Sequence, residues 1–173
     1  MDCDACAKAK LARTPFPKHH VIKSTVPGER THTDVWGPSR KSSVGSARYY
    51  LLCVDDYSRY VTIYFMKEKN EVTKYLKQYI SMIKTQYNMH PKIIRTDNGK
   101  EYVNNTLSNW CRDQGLMFEF AAPYSPQQNG VAERYNRTLE ELMRAMLEAR
   151  NLPLSLWSAA IQHTQSLLHS RDS

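Results

Sequence analysis

A switch of hydrophobic period close to residue 67 restricts the fold more than any other feature of this chain. Before it, Tyr49-Tyr-Leu-Leu-Cys-Val54 is rich in aromatic and branched residues and reads as a strong strand. Asp55-Asp-Tyr-Ser-Arg59 reads as a tight turn, and Tyr60-Val-Thr-Ile-Tyr-Phe-Met66 as the antiparallel return. After it, Val72, Tyr75, Leu76, Tyr79, Ile80, Met82 and Ile83 recur at helical spacing. They predict a helix over about 70–87, closed by Asn88 and Pro91.

The other elements follow by the same reading. Residues 31–36 predict a strand ended by Gly37-Pro38, with a turn over 39–47. A short apolar strand over 92–96 stops at Asp97-Asn-Gly99. Helices are predicted over 104–114, with Gly115 as the stop, and over 153–169, starting at Pro153; a strand covers 116–120 and a loop 121–126. Between loop and last helix lies a helix with a sharp start: Ser125 suits the cap, Pro126 the first helical position, and Gln128 completes a capping box. Its apolar stripe is Val131, Tyr135, Leu139, Leu142, Met143, Met146 and Leu147. The order β-β-β-α-β-α-β-α-α implies an α/β fold, a mixed five-stranded sheet flanked by helices. Residues 1–30 have no clear period, hold Pro15, Pro17 and Pro27, and read as an extended basic arm; the core takes up 31–173.

Charge narrows the partners. The net charge is +7, and residues 1–48 carry nine Lys or Arg against four acids, so five of those charges sit in the first quarter. Such an excess favours a polyanion, nucleic acid first. No apolar run approaches a membrane span, and no membrane partner is expected. Cys53 falls in an apolar strand and Cys111 in a helical pattern, so the four cysteines do not resemble a disulfide framework. An intracellular, reducing location is expected.

Three acids have settings that point to chemistry. Asp34 lies inside the first strand, where an unpartnered carboxylate is costly. Asp97 ends the fourth strand, at the kind of edge where α/β sites form. Glu133 follows Asp97 after 35 intervening residues, in the second turn of the capped helix. There Asn129, Glu133, Asn136, Arg137 and Glu140 share a face opposite the apolar stripe. Each acid taken alone reads better as a cap, turn or surface residue. Converging, the three would suit divalent cations and phosphodiester chemistry. Asp55 and Asp56 suit the turn better than a metal, and Glu101 reads as solvated.

His32-Thr-Asp-Val-Trp-Gly-Pro38, Val54-Asp-Asp-Tyr-Ser-Arg59, Thr96-Asp-Asn-Gly-Lys-Glu-Tyr102 and Ser125-Pro-Gln-Gln-Asn-Gly-Val-Ala-Glu-Arg134 resemble the integrase core of copia-type LTR retrotransposons, relatives of retroviral integrases. The resemblance covers roughly residues 3–165 and implies a ribonuclease-H-like fold. It implies catalytic and metal-binding roles for Asp34, Asp97 and Glu133, two Mg²⁺ or Mn²⁺ ions, and DNA as partner. It also implies trimming of the element's DNA 3′ ends and their joining to target DNA, action in the nucleus, and self-association. Tyr124, Gln127, Gln128, Asn129, Arg134 and Arg137 become candidate DNA contacts, with i,i+4 pairing to acids such as Glu141 as the alternative for the two arginines. Trp157 and Leu167 are candidates for contact between copies. Cys3-Asp-Ala-Cys6 matches half of the family's N-terminal zinc module without its His pair, so zinc is not expected. The core is expected to be C-terminally truncated relative to the family. The competing expectation is an inactive or non-catalytic nucleic-acid-binding remnant of a retroelement polyprotein.

Overall fold

The computed structural model describes residues 24–97, 99, 101–120 and 130–170. Strand β1 (Arg30–Trp36) lies at the centre of a five-stranded sheet, with β2 (Tyr49–Asp55), β3 (Val61–Met66), β4 (Ile93–Thr96) and β5 (Met117–Phe120) in the order β3-β2-β1-β4-β5. β1, β2 and β3 pair antiparallel, whereas β4 joins β1, and β5 joins β4, in parallel. Helices α1 (Val72–Tyr87), α2 (Asn105–Asp113), α3 (Gly130–Ala149) and α4 (Trp157–His169) accompany the sheet. Short 3-10 turns precede α1 and α4, at Lys69–Glu71 and Leu154–Leu156. The predicted helix starts near 70 and 153 therefore fall on these turns. The capping box of Ser125, Pro126 and Gln128 lies outside the described residues, as does the loop over 121–126.

The alternation along β2 explains why it reads as an unbroken apolar run. Tyr50, Leu52 and Val54 pack on one face with Val131, Leu139 and Met143 of α3 and Trp157 and Ile161 of α4. Leu51 and Cys53 pack on the other with Leu76 and Ile80 of α1 and Leu107 and Cys111 of α2. A strand covered on both faces has no solvent side to keep polar. Trp157 is fully buried, its ring tilted against Trp36 and Tyr50 and edge-on to Phe65. It is a core residue and is unavailable to a second copy of the chain, whereas Leu167 is 41% exposed.

Residues 24–29, expected to close an extended arm, are tied to the β2–β3 turn. The Ser24 backbone N–H and hydroxyl donate to Asp56 at 2.9 and 3.1 Å, and the Gly28 N–H donates to Asp55 at 2.7 Å. Asp55 also accepts from the Ser58 N–H at 2.7 Å, an interaction that fits the turn reading. Among the described residues no helix is long and apolar enough to cross a membrane.

Candidate active site

Register brings the first two acids together. The β1–β4 ladder pairs His32 with Arg95 and is not extended to Asp34 or Asp97, each two residues further along its strand. Parallel strands carry side chains of matched positions to the same face, so Asp34 and Asp97 flank the gap where the two strands part. Such a gap beyond the carboxyl end of a parallel strand is a natural place for a ligand in an α/β sheet. Their proximity registers electrostatically. Burial, reinforced by the negative charge of Asp97, pushes Asp34 from 3.8 to about 6; hydrogen bonds from Asn136 and Val35 oppose the rise and Glu133 adds to it.

Helix α3 supplies the third acid. Its inner stripe of Val131, Leu139, Met143 and Leu147 fixes it to the β2 face. The face expected to be polar and opposite that stripe is turned toward β1. Asn136 is buried and donates its Nδ2 hydrogen to Asp34 Oδ2 at 2.7 Å. Glu140 accepts from the Trp36 indole N–H. Glu133 is exposed, one turn before Asn136. Sequence reading placed Asn136 on the right face and missed its job. The i,i+3 spacing from Glu133 was the available signal, since residues so spaced stack along one side of a helix.

An open groove of about 850 Å³ runs from Asp34 and Glu133 past Asn136 and Arg137 to Trp36, Arg40 and Arg144. Two of the predicted site residues line it as acids, with three arginines beyond them. Asp97 is held at the β4 end, its Oδ1 accepting from the Gly99 N–H at 3.2 Å and the Thr96 hydroxyl at 3.4 Å. Arg137 is exposed in the groove, and among the described residues neither it nor Arg134 pairs with Glu141. Tyr124, Gln127, Gln128 and Asn129 lie outside the described residues, as do Cys3 and Cys6. Glu101 departs from its solvated expectation: its side chain is 13% exposed, 3.7 Å from Lys69. It folds against Gly99, where an added Cβ would come within 2.7 Å of its carboxyl carbon.

The donor set fits hard divalent cations. Three carboxylates offer oxygen alone, and their mutual repulsion, visible at Asp34, is what a bound cation would relieve. They are not preassembled: among the described residues no three His, Cys, Asp or Glu side chains stand close enough to enclose a metal ion. Asp55 and Asp56 are engaged elsewhere. Asp56 accepts from His32 Nε2 at 2.8 Å and stands 3.5 Å from Arg59, an internal cluster that sequence reading did not foresee.

Comparison with known proteins agrees with this architecture. Over residues 24–126 the sequence matches the family described as "Integrase core domain". It is 34% identical over 160 residues to the Retrovirus-related Pol polyprotein from transposon TNT 1-94 of Nicotiana tabacum, covering 92% of this chain and 12% of that polyprotein. To the corresponding polyprotein from transposon RE2 of Arabidopsis thaliana it is 28% identical, covering 92% of this chain and 11% of the relative. The chain thus spans about an eighth or less of these relatives' lengths. Among solved structures it resembles a chain of the simian T-cell lymphotropic virus intasome in complex with PP2A regulatory subunit B56 gamma. That likeness has a TM-score of 0.63 at 22% identity, over 90% of this chain and 55% of the other, and shows a shared fold. The mixed sheet is accordingly ribonuclease-H-like, and with more than half of its length matched at the level of the domain, the chain belongs to the integrase core domain family.

Proposed function

We propose that this chain is the catalytic core of a DNA-integrating polynucleotidyl transferase, in which Asp34, Asp97 and Glu133 bind Mg²⁺ or Mn²⁺. The observation that carries the reading is that Asp34 and Asp97 flank the parted strand ends, with Asn136 of α3 bonded to Asp34 and Glu133 one turn before it. When bound, two such cations acidify the attacking water or 3′-hydroxyl and neutralise charge on the leaving oxygen. The chain's own residues supply the rest. Asn136 and the Val35 N–H each occupy one oxygen of Asp34, fixing the carboxylate plane. Thr96 and Gly99 orient Asp97. Arg137 and Arg144 line the groove where a phosphate backbone would run. Water serves as nucleophile in trimming a DNA 3′ end, and the exposed 3′-hydroxyl serves in joining it to a target. Self-association belongs to the same reading, because integration joins two ends.

The test is a disintegration reaction, in which a branched DNA substrate is resolved with Mg²⁺ or Mn²⁺. Wild-type protein is expected to be active only with the cation, and Glu133→Gln is expected to lose activity by at least about 100-fold, as for removal of a group acting in the transition state. A normal rate for Glu133→Gln, or activity in chelator, overturns the reading.

A further inference from the structure

Glu133 has no bond of its own to hold it. Among the described residues its exposed side chain makes no hydrogen bond or ion pair. Its distance from Asp34 is therefore set by the rotation and axial position of α3 on the sheet. The apolar stripe of α3 decides which side is buried, but hydrophobic contact is non-directional and tolerates some sliding and turning. A hydrogen bond does not, because it weakens steeply off its axis.

Two directional bonds tie α3 to β1 in matching steps. Asp34 and Trp36 are two residues apart and share the sheet face of their ladder partners Leu52 and Tyr50. Asn136 and Glu140 are four apart and share one side of the helix. Two strand residues advance about 6.6 Å and four helical residues about 6 Å, so the two pairs meet in step. Asn136 donates to Asp34 Oδ2 at 2.7 Å, and the Trp36 indole N–H donates to Glu140 Oε1. The indole is itself fixed. Its ring stacks on Tyr50, with centroids 5.1 Å and planes 16° apart, and leans on the buried Trp157 at 5.2 Å. Glu140 is steadied from its other oxygen, where Arg144 Nη2 stands 3.7 Å from Oε2. Trp36 and Glu140 both line the groove that contains Asp34 and Glu133. Glu133 and Glu140 are seven residues apart, about two turns along one side of α3, so the indole bond acts on the face that carries the third acid.

We propose that Trp36 and Glu140 are positioning residues for the metal-dependent chemistry: their bond fixes the rotation and axial position of α3, and through it the place of Glu133 relative to Asp34. The bond from Asn136 to Asp34 supplies one point of contact, about which the helix can still turn. The bond from Trp36 to Glu140 supplies the second and removes that freedom. In this role neither residue touches the cation or the reacting phosphate. The inference rests on the metal-dependent reading above and adds to it a device outside the three acids.

The experiment measures kcat and KM for disintegration of branched DNA in Mg²⁺, and thermal melts without DNA across a Mg²⁺ series. The proteins are wild type, Trp36→Phe, Glu140→Leu, Glu140→Gln and the double variant of Trp36→Phe with Glu140→Leu. Trp36→Phe keeps a ring for Tyr50 and lacks the N–H; Glu140→Gln keeps an acceptor and lacks the charge. Trp36→Phe and Glu140→Leu are each expected to lower kcat about tenfold or more with KM unchanged, as for a misplaced catalytic group. The double variant should fall no further than either single one, because the same bond is lost in all three. Glu140→Gln should retain most of the wild-type kcat. In the melts, the impaired variants should require about ten times more Mg²⁺ for the same rise in Tm. Additive losses, a Glu140→Gln protein as slow as Glu140→Leu, or a change confined to KM each overturn the positioning role. So does a lower Tm in chelator with normal kcat and normal Mg²⁺ response, which marks a packing role alone. If Glu140→Leu fails to fold, the contrast between Trp36→Phe and Glu140→Gln decides the question. Wild-type protein without cation-dependent activity sinks the enzyme reading itself, an outcome distinct from an active wild type whose variants all match it.

Discussion

Replacing Asp34 by Asn should make the metal-free protein more stable and at the same time abolish its chemistry. Burial and the charges of Asp97 and Glu133 hold Asp34 at about 6 in the folded chain, against 3.8 for the ordinary group. Between those values the native state binds the proton more tightly than the unfolded chain. Protonated Asp34 therefore favours the fold fully below pH 3.8, and that contribution is lost as pH rises through 6. At about 1.36 kcal/mol per pH unit, the ionised carboxylate costs up to about 3 kcal/mol above pH 6. Asparagine removes the charge and can still accept from Asn136, so a gain of about 1–3 kcal/mol is expected at pH 8, or roughly 2–10 °C in Tm for a domain of this size. The assay is thermal melting of both proteins in chelator at pH 8, 6 and 4, then at pH 8 with added Mg²⁺. The advantage of Asp34→Asn should shrink toward zero at pH 4. Added Mg²⁺ should stabilise the wild type and not the variant, because only the native site binds it. A difference between the proteins that ignores pH, or equal stabilisation of both by Mg²⁺, refutes the electrostatic account of this site.

Three further outcomes are expected. Asn136→Ala removes the 2.7 Å hydrogen bond to Asp34 and should slow strand joining by about 10–100-fold, as loss of a residue orienting a ligand does. It should also move the acidic limb of the pH–rate profile upward, since that bond favours the ionised carboxylate; an unmoved limb assigns Asn136 a packing role alone. Trp157→Ala should cost about 3–5 kcal/mol in urea denaturation, the range for deleting a fully buried aromatic, and a loss under about 1 kcal/mol would contradict its place in the core. Leu167→Glu should weaken self-association in sedimentation without changing the melting temperature, since Leu167 is 41% exposed; unchanged association removes the end of α4 from the contact surface.

Much of the fold was legible because its signals are local. Covered faces made β2 continuously apolar, and the one-sided burial of α1 left a stripe at helical spacing, so both elements were visible as periodicity. Element edges near 70 and 153 were less legible, since a 3-10 turn and a first α-helical turn differ by one hydrogen bond and carry similar residues. The face of α3 bearing Glu133, Asn136 and Glu140 was also readable, but the residues it touches were not. Only packing shows that it meets β1, because a helix's rotation is set by the stripe it buries and its direction by the strands beneath.

The sequence by itself determined the alternation of strands and helices, the three acids and their settings at a strand interior, a strand end and a helix. It could do so because side-chain period and turn chemistry are properties of neighbouring residues. The tertiary structure alone decided which of those residues meet. Parallel pairing of β1 with β4, across 63 residues, sets Asp34 near Asp97, and burial, with the charge of Asp97 second, raises the pKa of Asp34. Docking of α3 across the sheet gives Asp34 its Asn136 partner and lays the Tyr135 hydroxyl against the Arg59 carbonyl. Those contacts depend on register and helix placement over long separations, which no local pattern encodes.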